Sequence, residues 1–254
     1  MREHNTLSTT ATKQLNWKTA VVTGAGSGIG QAIAVMFAAQ GARVVLAGRR
    51  KEKLAVTAAQ IEAAGGTSLS VATDITSEQD VAALFDTAVR QFGRVDLLVN
   101  NAGDSKGGDT DTLSLADWKA VIDVNLTGAF LCSREAFRLM KAQRAGRIIN
   151  VGSTAAKVPR GRSAPYAASK FGLDGFTRAL AIEAREYGVA VSIVHPGNTL
   201  PGLWTGREHL VQHEGLMDAS NVARVALLMA ALPPDVNLYE STILPVSMPF
   251  LGRG

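Results

Sequence analysis

An α/β fold is predicted for this chain: a doubly wound parallel sheet of about seven strands with helices on both faces. Two observations predict it. Seven short runs rich in apolar and β-branched residues alternate with longer helical patterns, and glycines mark the ends of many of those runs. No linker-like gap interrupts the alternation, so residues 16–254 read as one domain, and right-handed crossovers make the sheet doubly wound.

Composition agrees with a globular protein. Of 254 residues, 46% are hydrophobic and 19% charged, enough to bury a core. No run of 18 uninterrupted apolar residues predicts a membrane span. The start, Met1 to Thr6, lacks the apolar stretch of a secretory signal, so a cytoplasmic location is the default expectation. Cys132 is the single cysteine, which excludes an internal disulfide. The net charge of +4 is scattered, with one cluster at Arg49–Lys53, and predicts no nucleic-acid partner.

Residues 1–15 are polar, Thr-rich and aperiodic, and read as a disordered arm. Thr19 to Thr23 is the first strand. The turn Thr23-Gly-Ala-Gly-Ser-Gly-Ile-Gly30 follows it, then a helix with Ile33, Phe37 and Ala38 on one face. A glycine turn between strand and helix can cradle phosphate, since backbone N–H groups and the positive helix end are open to it. The spacing is Gly-x-x-x-Gly-x-Gly, which differs from the Gly-x-Gly-x-x-Gly dinucleotide fingerprint. Arg43 to Ala47 is the second strand. An acid at its end would take a ribose 2′-hydroxyl, but Gly48 stands there and Arg49 follows, an arrangement suited to a 2′-phosphate.

The alternation continues with a helix over 51–64, a strand at Leu69 to Thr73 ending in Asp74-Ile75, and a helix to Phe92 capped by Thr76 or Ser77. Val95 to Val99 is the fourth strand, ending in Asn100-Asn101-Ala102-Gly103. A long helix is expected over 113–143, with Asn125 near its middle. The fifth strand covers 147–152, the next helix 164–186, and the sixth strand Val189 to Val194. A helix at 219–231 and a strand at Ser241 to Val246 complete the pattern. Ser153 ends the fifth strand. Tyr166 and Lys170 lie four apart at the start of the following helix and share a face, so a hydroxyl, a phenol and an ammonium can meet at a strand's carboxyl end.

Taken together, the glycine turn, Asn100-Asn-Ala-Gly103, Asn125, Ser153 and Tyr166-Ala-Ala-Ser-Lys170 resemble the single-domain, NADP(H)-type short-chain dehydrogenase/reductase family, a Rossmann-like fold, over about Lys18 to Pro196. The resemblance implies an oxidoreductase that interconverts a secondary alcohol and a ketone, or an aldehyde counterpart, without metal. It implies Tyr166 as acid/base, Lys170 as the group that lowers the Tyr166 pKa and binds the nicotinamide ribose, Ser153 as donor to the substrate oxygen, and Asn125 as the holder of a water between Lys170 and solvent. Gly24, Ser27, Gly28, Ile29 and Gly30 would serve the pyrophosphate, and Arg49 the 2′-phosphate. Asp74 and Ile75 would border the adenine, and Asn101, Ala102 and Gly103 would pass beneath the ribose. Asn101 and Asn125 have an equal reading as buried amides that satisfy backbone. Pro196, Gly197 and Thr199 would approach the nicotinamide amide, although Pro201 replaces the usual later threonine.

Leu203 to Met217 is the expected substrate lid, with Trp204 and Leu210 as apolar walls. His209 and His213 would share a helical face, read as polar surface rather than metal site. His195 is expected to end the sixth strand, outside catalysis. Arg160 and Arg162 are read as solvated in preference to anchoring an acidic substrate. The tail from Asn237 to Val246 resembles reductases of small hydroxy acids and related carbonyls more than the fatty-acid-synthesis type. The expected cofactor is NADP(H), with NAD(H) as alternative. The expected partners are a small alcohol or carbonyl substrate and further copies of the chain, as a dimer or tetramer. A catalytically idle nucleotide-binding regulator is the rival from another class.

Overall fold

A computed structural model describes residues 13–202, 205, 206 and 208–250. The β-branched and apolar runs form the strands. In chain order the elements are β1 (Thr19–Thr23), α1 (Gly28–Ala39), β2 (Arg43–Gly48), α2 (Lys51–Ala63), β3 (Thr67–Ala72), α3 (Glu78–Phe92) and β4 (Leu97–Asn100). Then come α4 (Leu115–Ile122), a π-helical turn (Asp123–Thr127), α5 (Gly128–Gln143), β5 (Gly146–Val151), α6 (Ala164–Ala184) and β6 (Val189–Pro196). The short strands β7 (Thr199–Leu200) and β8 (Met217–Asp218), α7 (Ala219–Ala231) and β9 (Glu240–Ile243) follow.

Seven strands make one all-parallel sheet in the order β3-β2-β1-β4-β5-β6-β9. The chain runs outward from β1 to β3, returns to β4 beside β1, and then runs outward the other way. This reversal sends the connections after β1 and β4 to opposite faces of the sheet and opens a crevice at the strands' carboxyl ends. Alternate residues of the buried strands feed two cores. Val22, Val44, Leu46 and Val99 pack with Ile33, Phe37 and Met229 on one face. Val21, Val45 and Leu98 pack with Phe85, Phe137 and Met140 on the other.

Local chemistry explains the helix ends. Ser77 Oγ accepts from Asp80 N at 3.2 Å and starts α3, Ser114 Oγ accepts from Asp117 N at 3.0 Å and starts α4, and Gly93 stops α3 at φ +81°. Cys132 is buried against the sheet, and burial pushes its thiol up to about 12.

Three expectations are corrected. The arm expected through residue 15 ends earlier: Leu15 is buried and its N–H donates to Gln40 O at 2.9 Å, because an apolar side chain next to β1 finds the α1 core. Residues 1–12 lie outside the described residues. The single helix expected over 113–143 is split by the π-helical turn that carries Asn125. The last strand is Glu240–Ile243, shorter than expected, and Pro245 stands beyond its end.

One contact holds the first turn shut. A Cβ on Gly30 would lie 2.3 Å from Asn101 Nδ2 and 2.4 Å from Gly24 O, so only hydrogen lets α1 approach the loops this closely. Gly30→Ala is expected to cost about 2 kcal/mol by overpacking, a fall of roughly 4–8 °C in thermal midpoint. A melt superimposable on the wild type would contradict that packing.

Candidate active site

The crevice has a volume of about 750 Å³. Of the residues that the sequence singled out, Gly24, Ser27, Gly28, Ile29, Arg49, Asp74, Ile75, Asn101, Ala102 and Gly103 line it. Ser153, Tyr166, Lys170, Pro196, Gly197 and Thr199 line it too. Gly30 and Asn125 stand behind the lining and shape it instead.

The loop after β1 is fixed by a polar knot. Thr23 Oγ1 donates to Val99 O at 3.3 Å and accepts from the N–H groups of Asn101 and Ala102 at 3.0 and 3.1 Å. Asn101 Nδ2 donates to Thr23 O at 3.0 Å and Gly24 O at 3.4 Å. The Asn101 side chain therefore does structural work. Gly24 takes φ +66°, and a Cβ there would lie 2.8 Å from Asn101 Nδ2. No side chain caps the N-terminus of α1 and no acid occupies its first turn, which leaves its N–H groups for an anion. At the end of β2, Gly48 is followed by Arg49 and Arg50, and Lys53 joins them on the crevice wall. Asp74 turns its own oxygen back on Thr76, 3.0 Å to N and 2.8 Å to Oγ1, and these bonds, with Arg49 nearby, hold its carboxyl below the usual range.

Ser153 follows β5 in an extended conformation, and its Oγ accepts from Ala155 N at 3.1 Å. Tyr166 and Lys170 project from the first turns of α6. The Lys170 ammonium donates to Val151 O at 2.8 Å and lies 5.7 Å from the Tyr166 ring centroid. Burial lowers Lys170 to about 8. Burial also raises the Tyr166 phenol above its ordinary value, and a hydrogen bond with the Ser153 side chain pulls it partly back. The resemblance implied a Tyr166 lowered by Lys170. Among the protein groups alone, desolvation of the phenolate outweighs the Ser153 hydrogen bond.

Asn125 is buried in the π-helical turn. Its Oδ1 accepts from Asp104 N at 2.7 Å, and its Nδ2 donates to Asp104 O at 2.8 Å and Ser169 Oγ at 2.9 Å. Its side chain thus clamps the loop after Gly103 onto α6. A second buried chain lies beneath: Asn100 Nδ2 donates to Ser133 Oγ and Asn150 Oδ1 at 2.8 and 2.9 Å, and Asn150 Nδ2 to Thr177 Oγ1 at 2.8 Å. Sequence reasoning passed over Asn150, although an amide inside the apolar run Ile148-Ile149-Asn150-Val151 was a signal.

The lid differs from expectation. Leu203 and Trp204 lie outside the described residues. Leu210 is 53% exposed and does not line the crevice, while Val211 is buried. His209 and His213 sit on two separate 3₁₀ turns and do not share a helical face. Arg160 is half-buried and paired rather than simply solvated. It forms a forked ion pair with the buried Glu214, Nη1 to Oε1 at 3.0 Å and Nη2 to Oε2, and its Nη2 also donates to Asn198 Oδ1 at 3.4 Å. The Ser153–Tyr166 loop is thereby tied to the lid. Arg162, 72% exposed at its side chain, pairs with Asp109 at 3.0 Å and fits the solvated reading. His195 closes β6 as expected but is fully buried, between Ser153 and the carboxylates of Asp174 and Glu240.

The arrangement can bind a dinucleotide along the carboxyl ends of β1, β2 and β4 and bring a carbonyl group to Ser153 and Tyr166. The short chain dehydrogenase family model matches residues 18–209. The chain belongs to the short-chain dehydrogenase/reductase family. It is 41% identical over 184 residues, 72% of this chain and 74% of the relative, to a 3-oxoacyl-[acyl-carrier-protein] reductase of Synechocystis. It is 42% identical over 185 residues, 72% and 71% of the two chains, to 3beta-hydroxysteroid dehydrogenase 1 of Eggerthella lenta. A metagenomic short-chain oxidoreductase, solved in complex with NADP, superimposes with a TM-score of 0.80 at 36% identity, covering 91% of this chain and 100% of that one. The protein is an oxidoreductase of this family. No helix among the described residues is long and apolar enough to cross a membrane.

Lys170 offers a test of the site's electrostatics. Its folded pKa of about 8 lies below the ordinary 10.5, so the folded state carries a penalty that is complete below pH 8 and lifts as pH rises to 10.5. Lys170→Met removes the penalty and forfeits the bond to Val151 O. It should be more stable than the wild type by about 2 kcal/mol at pH 7, and by much less at pH 9.5. Denaturant unfolding at both pH values checks this, and a less stable variant at pH 7 would contradict the assignment.

Proposed function

We propose that the protein is an NADP(H)-dependent oxidoreductase that interconverts a secondary alcohol and a ketone, or an aldehyde counterpart. The observation that carries this reading is the meeting of Ser153, Tyr166 and Lys170 in the same crevice as the uncapped start of α1 and the basic end of β2. The site residues fit a dinucleotide. Gly24 and Gly28, at φ +66° and +58°, leave a backbone cradle that side chains would fill. Gly48 leaves room where an acid would contact the ribose, and Arg49, Arg50 and Lys53 supply positive charge for a 2′-phosphate.

When bound, NADPH supplies the hydride for carbonyl reduction. Gly24, Ser27, Gly28 and Ile29 hold the pyrophosphate, while Asp74, Ile75, Asn101, Ala102 and Gly103 border the adenosine. Pro196, Gly197 and Thr199 border the nicotinamide end. Ser153 donates to the substrate oxygen. Tyr166 protonates that oxygen during reduction and removes the proton in the reverse direction, with the ammonium of Lys170 stabilising the phenolate. Asn125 clamps the Asp104 loop to Ser169, next to Lys170, and serves the route by which a proton returns from solvent. Arg160, paired with Glu214, shapes the substrate end, which favours a neutral substrate over an acidic one. Two relatives act, by their names, on an oxoacyl group and a hydroxysteroid, both alcohol–carbonyl pairs. The tail cue toward small hydroxy acids lies beyond the segment that the family model matches. Exposed Phe130 on α5 and Phe171 on α6 support self-association through these helices.

Steady-state kinetics with a panel of ketones, aldehydes and hydroxy acids tests the reading. NADPH should give the higher kcat/KM, and Arg49→Asp should lower the NADPH value by about tenfold or more through loss of a charge-assisted contact. A wild-type preference for NADH would support the NAD(H) alternative. Tight NADPH binding without turnover of any compound would support an idle regulator.

A further inference from the structure

His195 belongs to no part of the chemistry described above, yet its ring lies directly against the Ser153 backbone. Its ring is fully buried. Nδ1 lies 3.0 Å from Ser153 O and 3.3 Å from Ser153 N. Both peptide groups reach one atom because Ser153 is extended, at φ −170° and ψ 154°, and a residue in that conformation turns its own N–H and C=O to the same side. The ring comes this close because residue 152 is glycine: a Cβ there would lie 2.6 Å from Nδ1.

The far side of the ring is held electrostatically. Nε2 lies 3.7 Å from Asp174 Oδ1 on α6 and 3.7 Å from Glu240 Oε1 on β9. Neither Nε2 nor Asp174 Oδ1 has a hydrogen-bond partner among the described residues. The two carboxylates are balanced by two cations. Lys157, from the segment after Ser153, lies 2.7 Å from Glu240 and 4.0 Å from Asp174, and Arg178, on α6, lies 3.1 Å from Asp174 and 3.4 Å from Glu240. Tyr239 stands near the same four charged groups, and its buried hydroxyl has no hydrogen-bond partner among the described residues. Asp174, His195 and Glu240 are close enough together to ligate a metal, but both carboxylates are already neutralised by side chains of the chain itself.

We infer that His195 is a positioning residue for Ser153: seated against Asp174 and Glu240, its imidazole grips the Ser153 peptide from behind and holds the Ser153 hydroxyl at the crevice. The inference rests on the proposed role of Ser153 as donor to the substrate oxygen. The carboxylates favour the tautomer with hydrogen on Nε2, which leaves Nδ1 to accept the Ser153 N–H. Burial keeps the ring neutral to lower pH than a free histidine. On protonation, Nδ1 gains hydrogen, releases the Ser153 N–H and donates to Ser153 O instead. The grip then changes partner within the peptide that carries the hydroxyl, and turnover falls on the acid side.

The test uses His195→Leu, which cannot bond the peptide, and His195→Asn, whose amide falls near the position of Nδ1. Ser153→Ala is measured in parallel. His195→Leu should lose about 100-fold in kcat, the scale of a small misplacement of a reacting group, while NADPH Kd stays within about twofold. His195→Asn should recover kcat to within about tenfold of wild type and lack the wild-type loss of activity on the acid side of the profile, below the ordinary histidine range. Wild-type kcat in His195→Leu, equal losses in both variants, or an unchanged acid limb in His195→Asn would each overturn the assignment. If His195→Leu does not fold, the pH profile of His195→Asn decides alone. Wild-type turnover in Ser153→Ala would remove the role of Ser153 and the inference with it. Loss of turnover in Ser153→Ala with full activity in His195→Leu would remove only the inference.

Discussion

The close approach of the β1 and β4 loops, with the Asn101 amide wedged between Gly24 and Gly30, is the constraint on which the rest depends. It brings the start of α1 against the sheet at the point where strand order reverses. It leaves the helix N–H groups facing the crevice, because Asn101 and Thr23 satisfy the loop backbones from below. Tight packing here is inseparable from binding. The same absence of side chains that lets α1 approach also leaves the cradle open.

The other half of the crevice is built on polar groups that never face it. Asn125 clamps the Asp104 backbone to Ser169, the Asn100–Asn150–Thr177 chain joins β4, β5 and α6, and His195 stands behind Ser153. These groups span the sheet and its covering helices, and they tie the strand that leads to Ser153 to the helix that carries Tyr166 and Lys170. Lys170 shows what the arrangement costs. An ammonium held at about 8 in a buried site is unfavourable for folding and useful for a neighbouring phenolate.

Local signals were the legible ones. The glycine turn, the alternating strands, the cap at Thr76 or Ser77 and the four-residue spacing of Tyr166 and Lys170 depend on neighbours in sequence, and the structure shows the turn, the strands, Ser77 as the cap and both side chains on the crevice. What escaped depends on partners far along the chain. Arg160 meets Glu214 across 54 residues and His195 meets Ser153 across 42, and neither pairing leaves a periodic trace. The π-helical turn at Asn125 was hidden for a related reason: its residues carry ordinary helical character, and the turn orients an amide toward a loop 21 residues earlier.

The central claim is that the phenol of Tyr166 carries the proton that accompanies hydride transfer. Single-turnover and steady-state kinetics of Tyr166→Phe, with NADPH affinity measured by fluorescence titration, test it most directly. The account predicts a loss of kcat of at least about 100-fold, as for removal of a general acid, with NADPH Kd within about threefold of wild type. Wild-type-like turnover in Tyr166→Phe would contradict it.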